Sequence, residues 1–289
     1  MPGKVWFAVP GDLDTRTGGT IYDKRVIGSL RAAGRTVEHL AWPASFPFPS
    51  EADLATATAG LGDCPDNAMV VIDGLALGVL PDLAKTEADR LRLVALVHHP
   101  LALESGTPPE VARRFTTSEK AALATVRAVV VTSEMTAATL IRDYGVPPER
   151  ITVARPGIDK PNPPPVRANI RTPHILSVGT VTTRKAHHIL VSALSSIADL
   201  DWRCTIAGSL SRDPTVGNAL KARVAASGLA DQITLAGDVE DLHALYRGAD
   251  MFVSTSRYEG YGMAIAEAMA YGLPIIAAAG GAVPDVVPA

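Results

Sequence analysis

The 289-residue chain is 47% apolar and 20% charged, enough for two cored domains and incompatible with global disorder. Its formal charge of −3 gives no basic footprint, so a nucleic-acid partner is not expected. The two cysteines, Cys64 and Cys204, stand far apart without metal-ligand spacing and read as free thiols of a reducing compartment.

The first apolar run, residues 5–9, is too short for a signal sequence and reads as a strand. Helix-period residues 22–33 follow, closed by Gly34. Apolar runs at 69–72, 93–97, 129–132 and 151–153 read as further strands, with helices at 118–125 and 136–144. Asp73 and Pro81 interrupt the longest apolar stretch, so nothing reaches membrane-spanning length and a cytoplasmic protein is expected. Pro156-Gly157 and then Pro161, Pro163, Pro164 and Pro165 mark a linker. The rhythm restarts with strands at 174–178, 202–207, 233–235, 251–254 and 275–278, separated by helices at 186–197, 216–227, 242–247 and 262–271. Such alternation predicts two α/β domains, 1–164 and 165–289, each a parallel sheet clothed by helices on both faces. The second stops just after its fifth strand, which predicts an incomplete domain. Val283, Val286 and Val287 should then lack cover and favour self-association.

The segment 249–268 carries the most chemistry. A strand ends at Ser254, a turn punctuated by Gly260 and Gly262 follows, and a helix begins near Gly262. A helix N-terminus presents unpaired N–H groups and partial positive charge, which suits a phosphate, and glycines let backbone approach it closely. Glu259 precedes the helix and Glu267 lies eight positions later, about 10–12 Å away at 1.5 Å per helical residue. One carboxylate could meet a sugar and the other a ribose at the two ends of one diphosphate. Taken singly, the pair also reads as a solvated loop acid and a surface helix acid.

Glu259-Gly260-Tyr261-Gly262 followed by Glu267-Ala268 resembles the donor-site motif of the family-4 glycosyltransferases, position by position. The strand entry Gly272-Leu273-Pro274-Ile275-Ile276-Ala277 resembles theirs, as does the turn at 280–285, with Asp285 where Glu is usual. The resemblance implies the GT-B fold, two facing Rossmann-like domains, the C-terminal one here apparently truncated. It further implies a retaining, metal-independent transfer of a sugar from a nucleoside diphosphate sugar to an acceptor hydroxyl, in glycan or glycolipid synthesis, without a cofactor.

By the same resemblance, Glu267 holds the ribose and Glu259 the sugar hydroxyls. Gly179, Arg184 and Lys185, with the Gly18-Gly19 loop and the backbone of Gly260, Tyr261, Gly262 and Met263, surround the diphosphate, and His98 lines the reacting centre. Thr180 stands where many members carry Arg, and Ala186 where Gly is common. Thr17-Gly18-Gly19-Thr20 alone could be any tight turn, and His187-His188 reads as a helix-surface pair. Asp12-Leu13-Asp14 and Asp199-Leu200-Asp201 spell D-x-D, a metal motif of the other large glycosyltransferase fold, but outside its context, so no metal is expected. The acceptor is an unidentified glycan, lipid-linked or small molecule, with weak peripheral membrane association. A GT-B epimerase or phosphorylase, and a non-catalytic sugar-nucleotide-binding fragment, remain as alternatives.

Overall fold

A computed structural model describes residues 3–104, 106–162 and 172–288. The chain divides into two compact units, Met1–Pro156 and Gly157–Ala289. The boundary expected at 164/165, with Pro163, Pro164 and Pro165, lies outside the described residues.

The first unit runs β1 (Val5–Pro10), α1 (Gly18–Ala32), β2 (Val37–Trp42), α2 (Glu51–Gly62), β3 (Met69–Asp73), α3 (Gly74–Leu77), α4 (Pro81–Glu87), β4 (Arg92–Val97), α5 (Pro109–Thr125), β5 (Ala128–Val131), α6 (Glu134–Tyr144) and β6 (Ile151–Val153). Its six strands form a parallel sheet in the order β2-β1-β3-β4-β5-β6. Leu93, Ala95 and Val97 of β4 enter one apolar cluster, while Leu96 of the same strand joins Phe7, Val9, Tyr22 and Ile27 in another. Both faces are therefore covered, which is why these strands read as unbroken apolar runs.

Short polar residues begin the helices. Ser133 accepts the Thr136 amide at 3.1 Å to start α6, and Ser50 and Asp53 form a reciprocal cap on α2. Helix α6 ends at Gly145, whose φ of +71° is the left-handed conformation glycine adopts most readily.

The second unit comprises β7 (His174–Val178), α7 (His187–Ser195), β8 (Arg203–Ala207), α8 (Pro214–Ala226), β9 (Ile233–Gly237), α9 (Leu242–Gly248), β10 (Met251–Ser254), α10 (Met263–Ala270), β11 (Ile275–Ala277) and α11 (Val283–Val286). Its parallel order is β11-β10-β7-β8-β9. Ile175, Ile206 and Val253 face one core and Leu176 and Phe252 the other.

Two expectations need correction. The segment after β11 forms α11, where Val283 is buried and Val286 and Val287 are half-buried against the Leu176–Phe252 core. They are covered because the turn before them folds back onto the loop after β10. Helix α1 begins at Gly18 rather than residue 22, because the Thr17 hydroxyl caps the Thr20 amide at 3.2 Å. No helix among the described residues is long and apolar enough to cross a membrane.

Each sheet has a point where strand order reverses beside its first strand, between β1 and β3 and between β7 and β10. In open parallel sheets, ligands bind outside the carboxyl ends of the strands at such points.

Candidate functional site

In the second unit, Gly179 follows β7 and the loop after it carries Arg184 and Lys185; Glu259 follows β10. Backbone ties bring the two loops together. The Arg257 amide donates to the Arg184 carbonyl at 2.8 Å, and the Thr255 hydroxyl donates to the Lys185 and Ala186 carbonyls at 3.3 and 3.0 Å. In consequence Lys185 Nζ lies 2.6 Å from Glu259 Oε1, and an Arg184 guanidinium nitrogen 3.2 Å from Oε2. The same Arg184 nitrogen donates to the Tyr258 carbonyl at 2.9 Å. Burial alone would raise the Glu259 carboxyl. The charges of Lys185 and Arg184, with hydrogen bonds from Lys185 and Ser256, outweigh it and hold the group at about 2.

Glycines pack closely here. Lys185 lies across Gly179, its Cε 3.0 Å from where a Cβ would stand, a contact the flexible side chain can relieve by shifting. Gly281, at φ +62°, stacks on the backbone of Glu259: a Cβ there would sit 2.3 Å from the Glu259 carbonyl oxygen. The Ala282 amide then donates to that same oxygen at 2.8 Å. Gly262 enters α10 at φ +99°, and no side chain caps the helix start at Met263. Gly260 and Tyr261 lie in the turn between Glu259 and that helix start. Ala186, the residue that stands in place of a common Gly, sits at φ +51° and leads into α7. That backbone conformation is the physical reason a glycine suits the position.

Glu267 lies in the second turn of α10, half-buried, and Oε2 accepts from the Tyr246 hydroxyl at 2.8 Å. Tyr246 is itself buried, 5.3 Å from Tyr271 in a stacked pair, so the Glu267 carboxylate is oriented by a fixed donor. Burial, with the Glu267 charge second, pushes the Tyr246 phenol well above its usual range, keeping it a donor.

In the first unit, the start of α1 and the residue after β4 meet. A Cβ on Gly19 would lie 3.2 Å from His98 Cδ2, so glycine lets the helix approach the ring without displacing it. Gly18 is the first residue of α1 and supplies its unpaired end. His98 Nε2 lies 3.1 Å from Asp23 of α1 and 3.2 Å from Asp73 at the end of β3. Among the described residues these three are the one group of ligand-type side chains close enough to share a cation. His99 turns away and pairs with Glu104 at 3.1 Å. Asp12 and Asp14 form a local turn, Asp12 Oδ1 accepting the Asp14 amide at 2.8 Å while Asp14 pairs with Lys24.

Sequence reasoning missed Asp23, Asp73, Tyr246 and Gly208. A Cβ on Gly208 would fall 2.1 Å from the Gly179 carbonyl oxygen, so the ends of β7 and β8 approach through glycine. Its place directly after a strand was the available signal. His187 departs from the surface pair expected of it: it is 4% exposed, and burial followed by the Lys185 charge lowers its imidazole to about 4.

Against known proteins, residues 172–289 match the family described as "Glycosyl transferases group 1" and residues 74–160 match "Glycosyltransferase Family 4". A D-inositol 3-phosphate glycosyltransferase of Pseudarthrobacter chlorophenolicus is 33% identical over 218 residues, 68% of this chain and 51% of the relative. The chain spans about half the length of the curated relatives it matches. Among solved structures, sucrose-phosphate synthase from Thermosynechococcus elongatus superposes with a TM-score of 0.78 at 20% identity, covering 96% of this chain and 82% of that one. Anabaena Alr3699/HepE, solved in complex with UDP and glucose, gives 0.72 at 17% identity over 99% and 83%. These likenesses establish the fold as GT-B.

Proposed function

The chain belongs to the family-4 glycosyltransferases, and from that premise we propose that it transfers a sugar, with retention, from a nucleoside diphosphate sugar to an acceptor hydroxyl. One observation carries the reading. Lys185 and Arg184 converge at the start of α10, and the anion now between them is the carboxylate assigned to the sugar. Two convergent cations beside an uncapped helix start form a setting for a diphosphate. The UDP and glucose found with Alr3699/HepE support the donor class.

In this reading the diphosphate takes the charges of Lys185 and Arg184 together with the amides at the start of α10. Glu267, oriented by Tyr246, accepts from the ribose hydroxyls. Glu259 accepts from hydroxyls of the sugar. Held at about 2, it is too weak a base to remove the acceptor proton. That proton passes instead to an oxygen of the departing phosphate. The anomeric carbon–phosphate oxygen bond breaks and the acceptor oxygen bonds the same face of the sugar. The two cations offset the charge that grows on the leaving group, the part a divalent ion plays elsewhere. In the first unit, Gly18 and Gly19 offer the open end of α1 and His98 a ring N–H, groups of the kind a phosphate oxygen or a sugar hydroxyl takes.

The test is calorimetric binding of UDP-, GDP- and ADP-sugars to the wild-type chain and to a Lys185→Ala variant. Binding of one class, weakened at least tenfold in the variant, is the expected result. Binding that ignores the loss of Lys185 would remove the diphosphate assignment.

A further inference from the structure

Two buried aspartates in the first unit have no part in the reaction as described so far. Resting on the transferase reading above, we propose that Asp23 and Asp73 are positioning residues for His98. Together they accept the hydrogen bond of its Nε2–H, fix the ring beside the carboxyl end of β4, and leave Nδ1 as an N–H donor for a phosphate oxygen or hydroxyl of a substrate.

The ring is held from three sides. Asp23 reaches it from α1 and Asp73 from β3, at 3.1 and 3.2 Å, with 1% and 5% of their surfaces exposed. Tyr22 meets the imidazole edge-on, the centroids 5.5 Å apart, and Gly19 closes the Cδ2 edge. Asp73 is itself fixed, because Oδ1 accepts the Leu75 amide at 2.7 Å. The Thr132 and Thr136 hydroxyls donate to the His98 carbonyl at 3.3 and 3.5 Å, so the backbone is pinned as well. The hydrogen bonds of the ring run through Nε2, and Nδ1 meets no partner among the described residues.

Both carboxylates serve one N–H, and their charge decides its state. Burial would lower the His98 imidazole, but Asp23 and Asp73 outweigh it and push it up to about 10. Burial raises Asp23 to about 6, against the pull of His98. Burial also opposes ionisation of Asp73, but hydrogen bonds from His98 and the Leu75 amide bring it below its ordinary value. The other titratable neighbours are Tyr22, which is pushed upward by burial, and His99, which pairs with Glu104. Between about pH 6 and 10 the cluster is therefore an imidazolium between two carboxylates. Over that range Nδ1 is a donor, suited to a phosphate oxygen or sugar hydroxyl and unsuited to removing a proton.

The experiment uses the whole chain with nitrogen-15-labelled histidine, His98 being assigned by comparison with His98→Gln. His98 should remain imidazolium from pH 6 to 9 in the wild type. In Asp23→Asn its midpoint should fall by roughly one unit or more, a tenfold loss of proton affinity. Asp73→Asn, read the same way, serves if Asp23→Asn does not fold. With a donor in hand, kcat of Asp23→Asn at pH 8.5 should fall in proportion to the fraction of His98 still charged, roughly tenfold if the midpoint drops to about 7.5, while KM for the nucleotide sugar changes less than about threefold, and activity should recover on lowering the pH. A wild-type His98 titrating near 6.5, or a midpoint unmoved by either Asn variant, overturns the proposal. The titration needs no substrate. A charged, aspartate-dependent His98 in a protein that binds no nucleotide sugar would count against the transferase reading alone.

Discussion

Replacing Glu259 with Gln removes the anion that holds Lys185 and Arg184 together and changes little else in shape. Glu259 is 6% exposed, so its ionisation in the folded state differs sharply from that in the unfolded chain. Its carboxyl is held at about 2 against an ordinary 4.5. A group depressed in the folded state contributes stability above its unfolded value and loses it as the pH falls toward the folded one. The difference of about 2.5 units is worth about 3 kcal/mol at 1.36 kcal/mol per unit. Gln is a fair copy of the protonated acid. Glu259→Gln should therefore be about 3 kcal/mol less stable than wild type at pH 7, and the gap should narrow steadily between pH ~4.5 and ~3. Urea unfolding at half-unit pH intervals measures it. The same variant should bind free nucleoside diphosphate at least as tightly as wild type, since both cations are released, while sugar transfer falls. A stability difference that stays constant across that pH range, or one below about 0.5 kcal/mol at pH 7, would refute the reasoning.

Glu119 should show the opposite pH dependence. It is buried on α5, with one oxygen accepting the Leu101 amide at 3.1 Å and the other unpartnered, and burial raises it to about 8. A group raised in the folded state stabilises below its unfolded value and costs about 1.4 kcal/mol per unit as pH climbs from about 5 to 8, so Glu119→Gln should flatten that slope in thermal melts. Glu267→Ala should weaken donor binding by about 1.5–3 kcal/mol and Tyr246→Phe by about 1 kcal/mol, as read by calorimetry, because the second keeps the carboxylate and loses only its orienting bond. Gly208→Ala places a methyl within 2.1 Å of the Gly179 carbonyl oxygen and should cost at least about 2 kcal/mol in urea unfolding. Sugar transfer should survive EDTA; activity abolished by the chelator and restored by a divalent ion would end the metal-free reading.

The parts legible in the sequence were those whose signal is local. Runs such as 93–97 and 251–253 are apolar throughout because both sheet faces are covered, and their strands appear where expected. The Glu259–Gly262 turn and Glu267 stand close in the chain, so spacing alone could suggest a phosphate site. Strand β2 was hidden because Val-Glu-His-Leu-Ala-Trp mixes exposed and half-buried positions at a sheet edge. The first half of α5 escaped because Arg113, Arg114 and neighbouring polar residues dilute the apolar period. Asp23 and Asp73 lie 75 and 25 residues from His98 in sequence, and nothing near either separates a buried anchor from an ordinary surface acid. His187 looked like a surface residue beside His188, yet it is buried at the start of α7, just after the left-handed Ala186.

The stacking of Gly281 on Glu259 ties the mobility of the carboxylate to a turn twenty-two residues farther along the chain. The Glu259 amide donates to the Gly280 carbonyl at 3.3 Å and the Ala282 amide to the Glu259 carbonyl at 2.8 Å, so neither peptide can open to solvent without disturbing the other. Their amide hydrogens should exchange as one cooperative unit, at a common rate that slows when a sugar nucleotide occupies the second unit. The Ala282 amide would then serve as a spectroscopic reporter of donor occupancy, without any label touching the site itself.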